Sequence, residues 1–140
     1  MGTISDNGRP LSVFDISGRA MSAQLARLNA TASNLANAGS VSGSRATAFR
    51  ALRPVFETDE QSPGVATVHV GQIVRSNLEP TRRHDPTHPL ADANGDVWEA
   101  GVDTAAELVE MVEAARQYQN NVQVLQTAKT LTLDTLRLGQ

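Results

Sequence analysis

Residues 103–138 read DTAAELVEMVEAARQYQNNVQVLQTAKTLTLDTLRL, and their reading decides the fold. Leu108, Met111, Ala115, Tyr118, Val122, Leu125, Lys129, Thr132 and Leu136 follow one another at alternating steps of three and four. A repeat averaging about 3.5 residues is the seam of a helix that lies lengthwise on another helix. Thr104 and Glu107 have the spacing of a capping box, and Gly139 supplies a stop. No Gly or Pro interrupts the run. At about 1.5 Å per residue the helix would extend roughly 50 Å.

The other end of the chain carries a matching pattern. Phe14, Gly18, Met21, Leu25, Leu28, Ala32 and Leu35 repeat the spacing, with Ser12 as N-cap and Ala38-Gly39-Ser40 closing the run. The fold expected is mainly α: two long terminal helices packed as an antiparallel coiled-coil-like pair, joined by a short irregular β-containing middle segment. Four segments follow: a flexible N-terminal tail over 1–11, a first helix over 12–38, an extended or β-hairpin middle over 39–102, and a second helix over 103–140. Antiparallel pairing sets Leu35 beside Met111 and Gly18 opposite Lys129, where the glycine leaves room for the lysine stem.

The middle is not helical. Residues 48–56 suit a short strand that Pro54 confines to an edge, and a polar loop follows. Residues 65–74 (VATVHVGQIV) are the best strand, with Gly71 as a bulge. Pro80, Pro86, Pro89 and Asn94-Gly95 make residues 75–102 an extended, turn-rich return to the last helix.

Apolar residues also lie off the two seams: Val124, Ala128, Leu131, Leu133 and Leu138 on one helix, Val13, Ile16, Ala20 and Ala23 on the other. Two helices alone cannot cover both sets, so contact with further chains is expected. Aromatics are only 4% of the chain, so little apolar area is buried per residue and an isolated subunit is marginal.

A net charge of −3 gives no basis for binding nucleic acid. The absence of cysteine removes disulfides and thiolate chemistry. The opening MGTISDNGRP lacks the basic start and apolar run of a Sec-type signal, and no stretch approaches the ~18 apolar residues of a membrane span. No membrane insertion and no cofactor are expected.

His84 and His88, with Asp85 and Asp92 nearby, are the one metal-like spacing, but they lie in a Pro-broken loop without a helix to align them. Solvated loop histidines are the better reading. Arg82-Arg83 is too small for a nucleic-acid footprint and reads as a salt-bridging pair. Nothing has the form of a nucleophile elbow or a phosphate loop, so no catalytic residue is expected.

Several blocks resemble one family. Asn34-Leu35-Ala36-Asn37-Ala38 at the end of the first helix is similar to the signature of bacterial flagellar rod and hook proteins. So are His88-Pro89-Leu90-Ala91-Asp92, Gly95, Val97 and Val102-Asp103. Glu110-Met111-Val112, Ala115, Arg116, Tyr118-Gln119, Asn121-Val122 and the ending Leu136-Arg137-Leu138-Gly139-Gln140 look most like the proximal-rod members. The resemblance runs from about Val13 to the last residue.

What the resemblance implies is a structural subunit of the proximal rod, the drive shaft that carries torque to the hook. Its terminal helices would build an inner tube and its middle an outer contact layer. Its partners would be other copies of itself, other rod proteins and basal-body components, and the flagellar type III export apparatus. The candidate inter-helix and assembly residues are then Phe14, Met21, Leu25, Leu28, Asn34, Leu35 and Asn37 on the first helix. On the second they are Leu108, Met111, Tyr118, Val122, Leu125, Leu131 and Leu136. The alternative is a helical adaptor or export chaperone that grips one partner through its heptad faces.

Overall fold

The computed structural model describes residues 11–62 and 65–140. Apart from Leu11, the tail expected over residues 1–11 lies outside the described residues. Helix α1 spans Val13–Asn37 and helix α2 spans Thr104–Leu138. Ser12 opens α1 with a complete capping box: its Oγ accepts the Asp15 N–H at 3.2 Å, and the Asp15 carboxylate accepts the Ser12 N–H at 3.0 Å. Ala38 closes it by donating its N–H to Leu35 O at 3.2 Å.

The entry to α2 differs from the capping box expected of Thr104 and Glu107. Asp103 is the N-cap, its carboxylate accepting the Ala106 N–H at 3.1 Å. An aspartate caps at least as well as a threonine and sits one residue earlier. Glu107 is thereby released from the cap and turns inward. Gly139 ends the helix as expected, donating its N–H to Thr135 O at 3.2 Å.

Between the helices come β1 (Val41–Ser42), β2 (Leu52–Ser62), β3 (Val65–Arg75), β4 (Thr81–His84) and β5 (Asp96–Glu99). They form two antiparallel units: a three-stranded sheet in the order β1-β5-β4, and the β2–β3 hairpin. The coarse class is therefore mainly α with a β-containing middle.

The hairpin is longer than the sequence suggested. Residues 57–62, expected as a loop, continue β2, with Glu57 opposite His69, Thr58 opposite Val68 and Asp59 opposite Thr67. Polar side chains survive there because a two-stranded ribbon leaves much of its surface in water. His69 gathers two of them, with Nδ1 3.2 Å from Asp59 and Nε2 3.8 Å from Glu57. Gly71 is the bulge: Val55 faces Gln72 and Phe56 faces Val70, so Gly71 has no partner. The Glu57 side chain lies over this glycine, in the space that a Cβ there would take. Pro54 stands opposite Ile73 in a ribbon where each strand is an edge.

The return to α2, expected as extended and turn-rich chain, supplies β4 and β5 of the three-stranded sheet, and β1 joins them from just after α1. Its strands are too short and too charged to show an alternating pattern. Arg83 pairs with Glu99 at 3.0 Å and Arg82 with Asp96 at 3.3 Å across β4 and β5. In the loop between them, Asp92 Oδ1 accepts the N–H groups of Asn94 (2.8 Å) and Asp96 (2.9 Å), and Gly95 takes φ 77°.

The core is thin. Among the described residues the buried apolar side chains are Ala23, Ala30, Ala48, Ala51, Val97 and Ala114. All but one are alanines, so each contributes little buried area.

Candidate assembly surface

Helix α1 packs on both α2 and the hairpin. The side chains it buries are small or polar: Ser17, Ala23, Ala30, Thr31 and Asn34. On α2 the buried pair is Glu107 and Ala114. Ser17, Thr31, Asn34, Glu107 and Ala114 each stand one position before a heptad residue read from the sequence, and Ala23 and Ala30 two positions before one. Small side chains let two backbones approach, and the larger apolar ones then flank the contact.

Asn34 is the centre of this packing, with no exposed surface. Its Oδ1 accepts the Leu52 N–H at 2.7 Å, while Nδ2 donates to Leu52 O at 2.9 Å and to Glu107 Oε2 at 3.0 Å. The amide thus pairs with the start of β2 in both directions, as a neighbouring strand would. Glu107 is also fully buried, and its Oε1 lies 2.5 Å from Arg53 of β2 as an ion pair. That contact lacks hydrogen-bond geometry, so Oε1 accepts no hydrogen bond. A buried carboxylate without partners would cost several kcal/mol, of the order that breaking a buried pair does. Asn34 and Arg53 remove most of that cost. One turn further along α2, Glu110 takes Arg27 at 2.5–2.9 Å.

The candidate residues separate into three groups. Asn34 is buried, and Met21, Leu28, Leu35, Asn37, Met111, Tyr118, Val122 and Leu125 are half-buried. Phe14, Leu25, Leu108, Leu131 and Leu136 are exposed. Asn37 makes a local bond, donating to Ser33 O at 2.8 Å. The expected crossing of Lys129 over Gly18 does not occur. Lys129 is exposed, and a Cβ at Gly18 would meet nothing within 4 Å. Asn34 against Glu107 also places the helices about one turn away from the register that sets Leu35 beside Met111.

Two apolar areas stay open on α2. Near its start, Leu108, Val109 and Val112, rimmed by Glu113 and Arg116, line a groove of about 390 Å³. Near its end, every residue from 129 to 140 is exposed, including Leu131, Leu133, Leu136 and Leu138. A third opening, about 690 Å³, lies between the first turns of α1 and β3, beside Phe14, Val68 and Val70. The histidines have partners within the loop: His84 Nδ1 lies 2.8 Å from Asp96 Oδ1, and His88 Nδ1 accepts the Leu90 N–H at 3.1 Å. No group of three or more potential ligands converges among the described residues.

Comparison with known proteins gives this surface its setting. Residues 14–43 match the family model described as flagella basal body rod protein. Residues 93–138 match the flagellar basal body rod FlgEFG protein C-terminal model. The flagellar basal-body rod protein FlgC of Salmonella typhimurium is 46% identical over 132 residues, which cover 93% of this chain and 98% of that protein. FlgC of Yersinia enterocolitica is 47% identical with the same coverage, and a Buchnera aphidicola FlgC is 36% identical over 134 residues. The chain belongs to the flagellar basal-body rod protein family.

This rod protein is a structural subunit of the basal body and not an enzyme. The two matched segments contain α1 with Asn34, and β5 with α2. No helix among the described residues is long and apolar enough to cross a membrane. Sequence reasoning placed Glu107 in a capping box and not in the core, and it did not single out Arg53. The available signal was an acid on the line Glu107, Met111, Ala114, Tyr118, which is the buried side of the rod protein's α2.

Proposed function

We propose that the subunit builds the proximal part of the flagellar rod, with its terminal helices as an antiparallel coiled-coil-like pair and its middle segment as an outer layer. Copies stack helically on one another and on other rod and basal-body components, and so pass torque from the motor to the hook across the periplasm. Delivery is through the type III export apparatus without a cleaved signal. The seam and motif residues named above are the inter-helix and assembly contacts. Antiparallel pairing is supported by Asn34, near the end of α1, meeting Glu107 in the first turns of α2.

The observation that carries this reading is the end of α2. Twelve successive residues are exposed, yet four of them are leucines, a surface suited to a neighbouring chain and not to water. The test is to replace the native copy with a tagged chain and isolate basal bodies. The chain is expected in the rod fraction of motile cells. Recovery of a stable small complex with one soluble partner, and none in basal bodies, would point to an adaptor or chaperone instead.

A further inference from the structure

We infer that the acidic stretch Glu57–Glu60 on the hairpin of one copy docks in an arginine-lined pocket at the base of the hairpin of a second copy. The inference rests on the rod reading and names a contact between middle segments, away from the terminal helices. Arg45, Arg50 and Arg75 line an opening of about 400 Å³ in which Glu79 is the only acid. Glu79 is taken by Arg45. Arg50 donates to Ser76 O at 2.7 Å, a neutral acceptor that fixes the guanidinium without cancelling its charge, and its Nε is buried without a partner. The Arg75 side chain is exposed and has neither an ion pair nor a hydrogen bond among the described residues. Two guanidinium groups are thus left without a counter-ion. Their planar forks suit carboxylates, which they hold through two parallel N–H donors.

The matching surplus of acid lies on the same chain. Glu57, Asp59 and Glu60 stand on β2 with only Thr58 among them, and Glu57 and Glu60 are exposed. The bases that approach them are His69, shared by Glu57 and Asp59, and Arg19, which is bonded to Thr67 opposite Asp59. Glu60 has no ion-pair partner among the described residues. The acids of the neighbouring sheet are already answered: Asp85 and Glu99 by Arg83, Asp96 by Arg82, and Asp92 by backbone N–H groups.

A chain cannot fill its own pocket. Arg75 faces Leu52, and Asp59 lies seven residues farther along the paired ribbon, roughly 23 Å at about 3.3 Å per residue. Stretch and pocket are two different patches of one chain, so the contact is heterologous and repeats from copy to copy in an open stack. A single exposed ion pair contributes little. Several acids set against unneutralised arginines decide which surfaces of two copies meet, and they reject the like-charged pairings.

The chain has no cysteine, so the test places two beside the charges and leaves the charges intact. Ala46, in the pocket, and Thr58, among the acids, are both exposed. The chain carrying Ala46→Cys and Thr58→Cys is treated in purified basal bodies with a bismaleimide whose span is well short of the distance between pocket and stretch within one chain. A ladder at multiples of the subunit mass is expected, with neither single variant producing it. Arg75→Glu in the same chain should weaken the ladder, and adding Glu60→Arg should restore it. If the cysteines keep the chain out of the rod, a photo-reactive phenylalanine analogue at Thr58 makes the measurement, its link mapped to residues 45–50 or 75–80 of another copy. No ladder from a double variant present in basal bodies, a ladder that the charge changes leave unaltered, or a link from position 58 to another segment or a different protein overturns the inference and leaves the rod reading intact. Absence of the unmodified chain from basal bodies overturns the rod reading itself, which separates the two failures.

Discussion

The side-chain amide of Asn34 donates to the buried carboxylate of Glu107 at 3.0 Å, joining the signature at the end of α1 to the first turns of α2. The same amide closes two bonds with the Leu52 backbone, so helix, helix and hairpin meet at one residue. Any substitution there strands several buried groups together.

Asn34→Asp keeps the shape, removes the donor and sets a second carboxylate against Glu107. It is expected to destabilise the chain by about 3 kcal/mol or more, since each stranded group costs about 1–3 kcal/mol. Asn37→Asp touches one local bond and should cost about 1 kcal/mol or less. Urea unfolding followed by circular dichroism compares them. Equal effects at the two positions would remove Asn34 from the centre of the fold. A cycle of Asn34→Ala and Glu107→Ala should show a coupling of about 0.5–3 kcal/mol.

How much of this was legible follows from what each residue type signals. The ends of α1 were readable because Ser12 and Ala38-Gly39-Ser40 act locally. The fully buried positions were not readable, because heptad reading follows the largest apolar side chains, and those are half-buried or exposed here. Here Ala23, Ala30, Thr31 and Asn34 are the buried side chains, while Phe14 and Leu25 stay exposed. The Gly71 bulge and the strand after residue 65 were readable from alternating valines. The extension of β2 through Glu57 and Asp59 was not, because cross-strand pairing with β3 and not local propensity holds those residues extended. Among the site residues, the motif pointed to Asn34, but its acid partner lies 73 positions away.

Glycine positions separate by what surrounds them. Gly18 lies inside α1 with open space beside it, so Gly18→Ala should stabilise the isolated subunit by about 0.5–1 kcal/mol. Gly101 is different: a Cβ there would overlap Leu78 O and come within 3.0 Å of the Glu79 backbone. Gly101→Ala should cost more than about 1 kcal/mol, because backbone cannot move aside as a side chain can. Thermal melts of both variants decide this. A melting temperature unchanged in Gly101→Ala would contradict the packing.

Acid should loosen the loop between β4 and β5 through Asp92. The N–H groups of Asp96 and Asn94 hold its carboxyl below the ordinary 3.8; desolvation opposes them less strongly, and Arg82 and His84 add smaller lowering effects. A carboxyl depressed in the folded state contributes stability above its unfolded value. That contribution fades as pH falls below about 3.8 and through the folded value. Protection of the Asn94 and Asp96 amides, taken relative to the intrinsic exchange rate at each pH, should therefore fall in that window, and Asp92→Asn should abolish the step. Protection independent of pH there would refute the assignment.

Folding and assembly should come apart at the end of α2. Leu136 is 63% exposed, so Leu136→Asp removes no intrachain packing and should change the stability of the isolated subunit by no more than about 0.5 kcal/mol. In the rod the same carboxylate would be buried against a neighbour without a partner, at a cost of several kcal/mol, more than a weak repeated contact can absorb. Cells carrying it should make and export a folded chain yet build no rod and remain non-motile. Leu28→Asp provides the contrast, because Leu28 is already half-buried within the chain and its substitution should lower the melting temperature as well. Melting curves with basal-body blots for the two variants read both effects. Full motility with Leu136→Asp would mean that the exposed leucines of α2 face no neighbour, and the case for assembly through this end would fall.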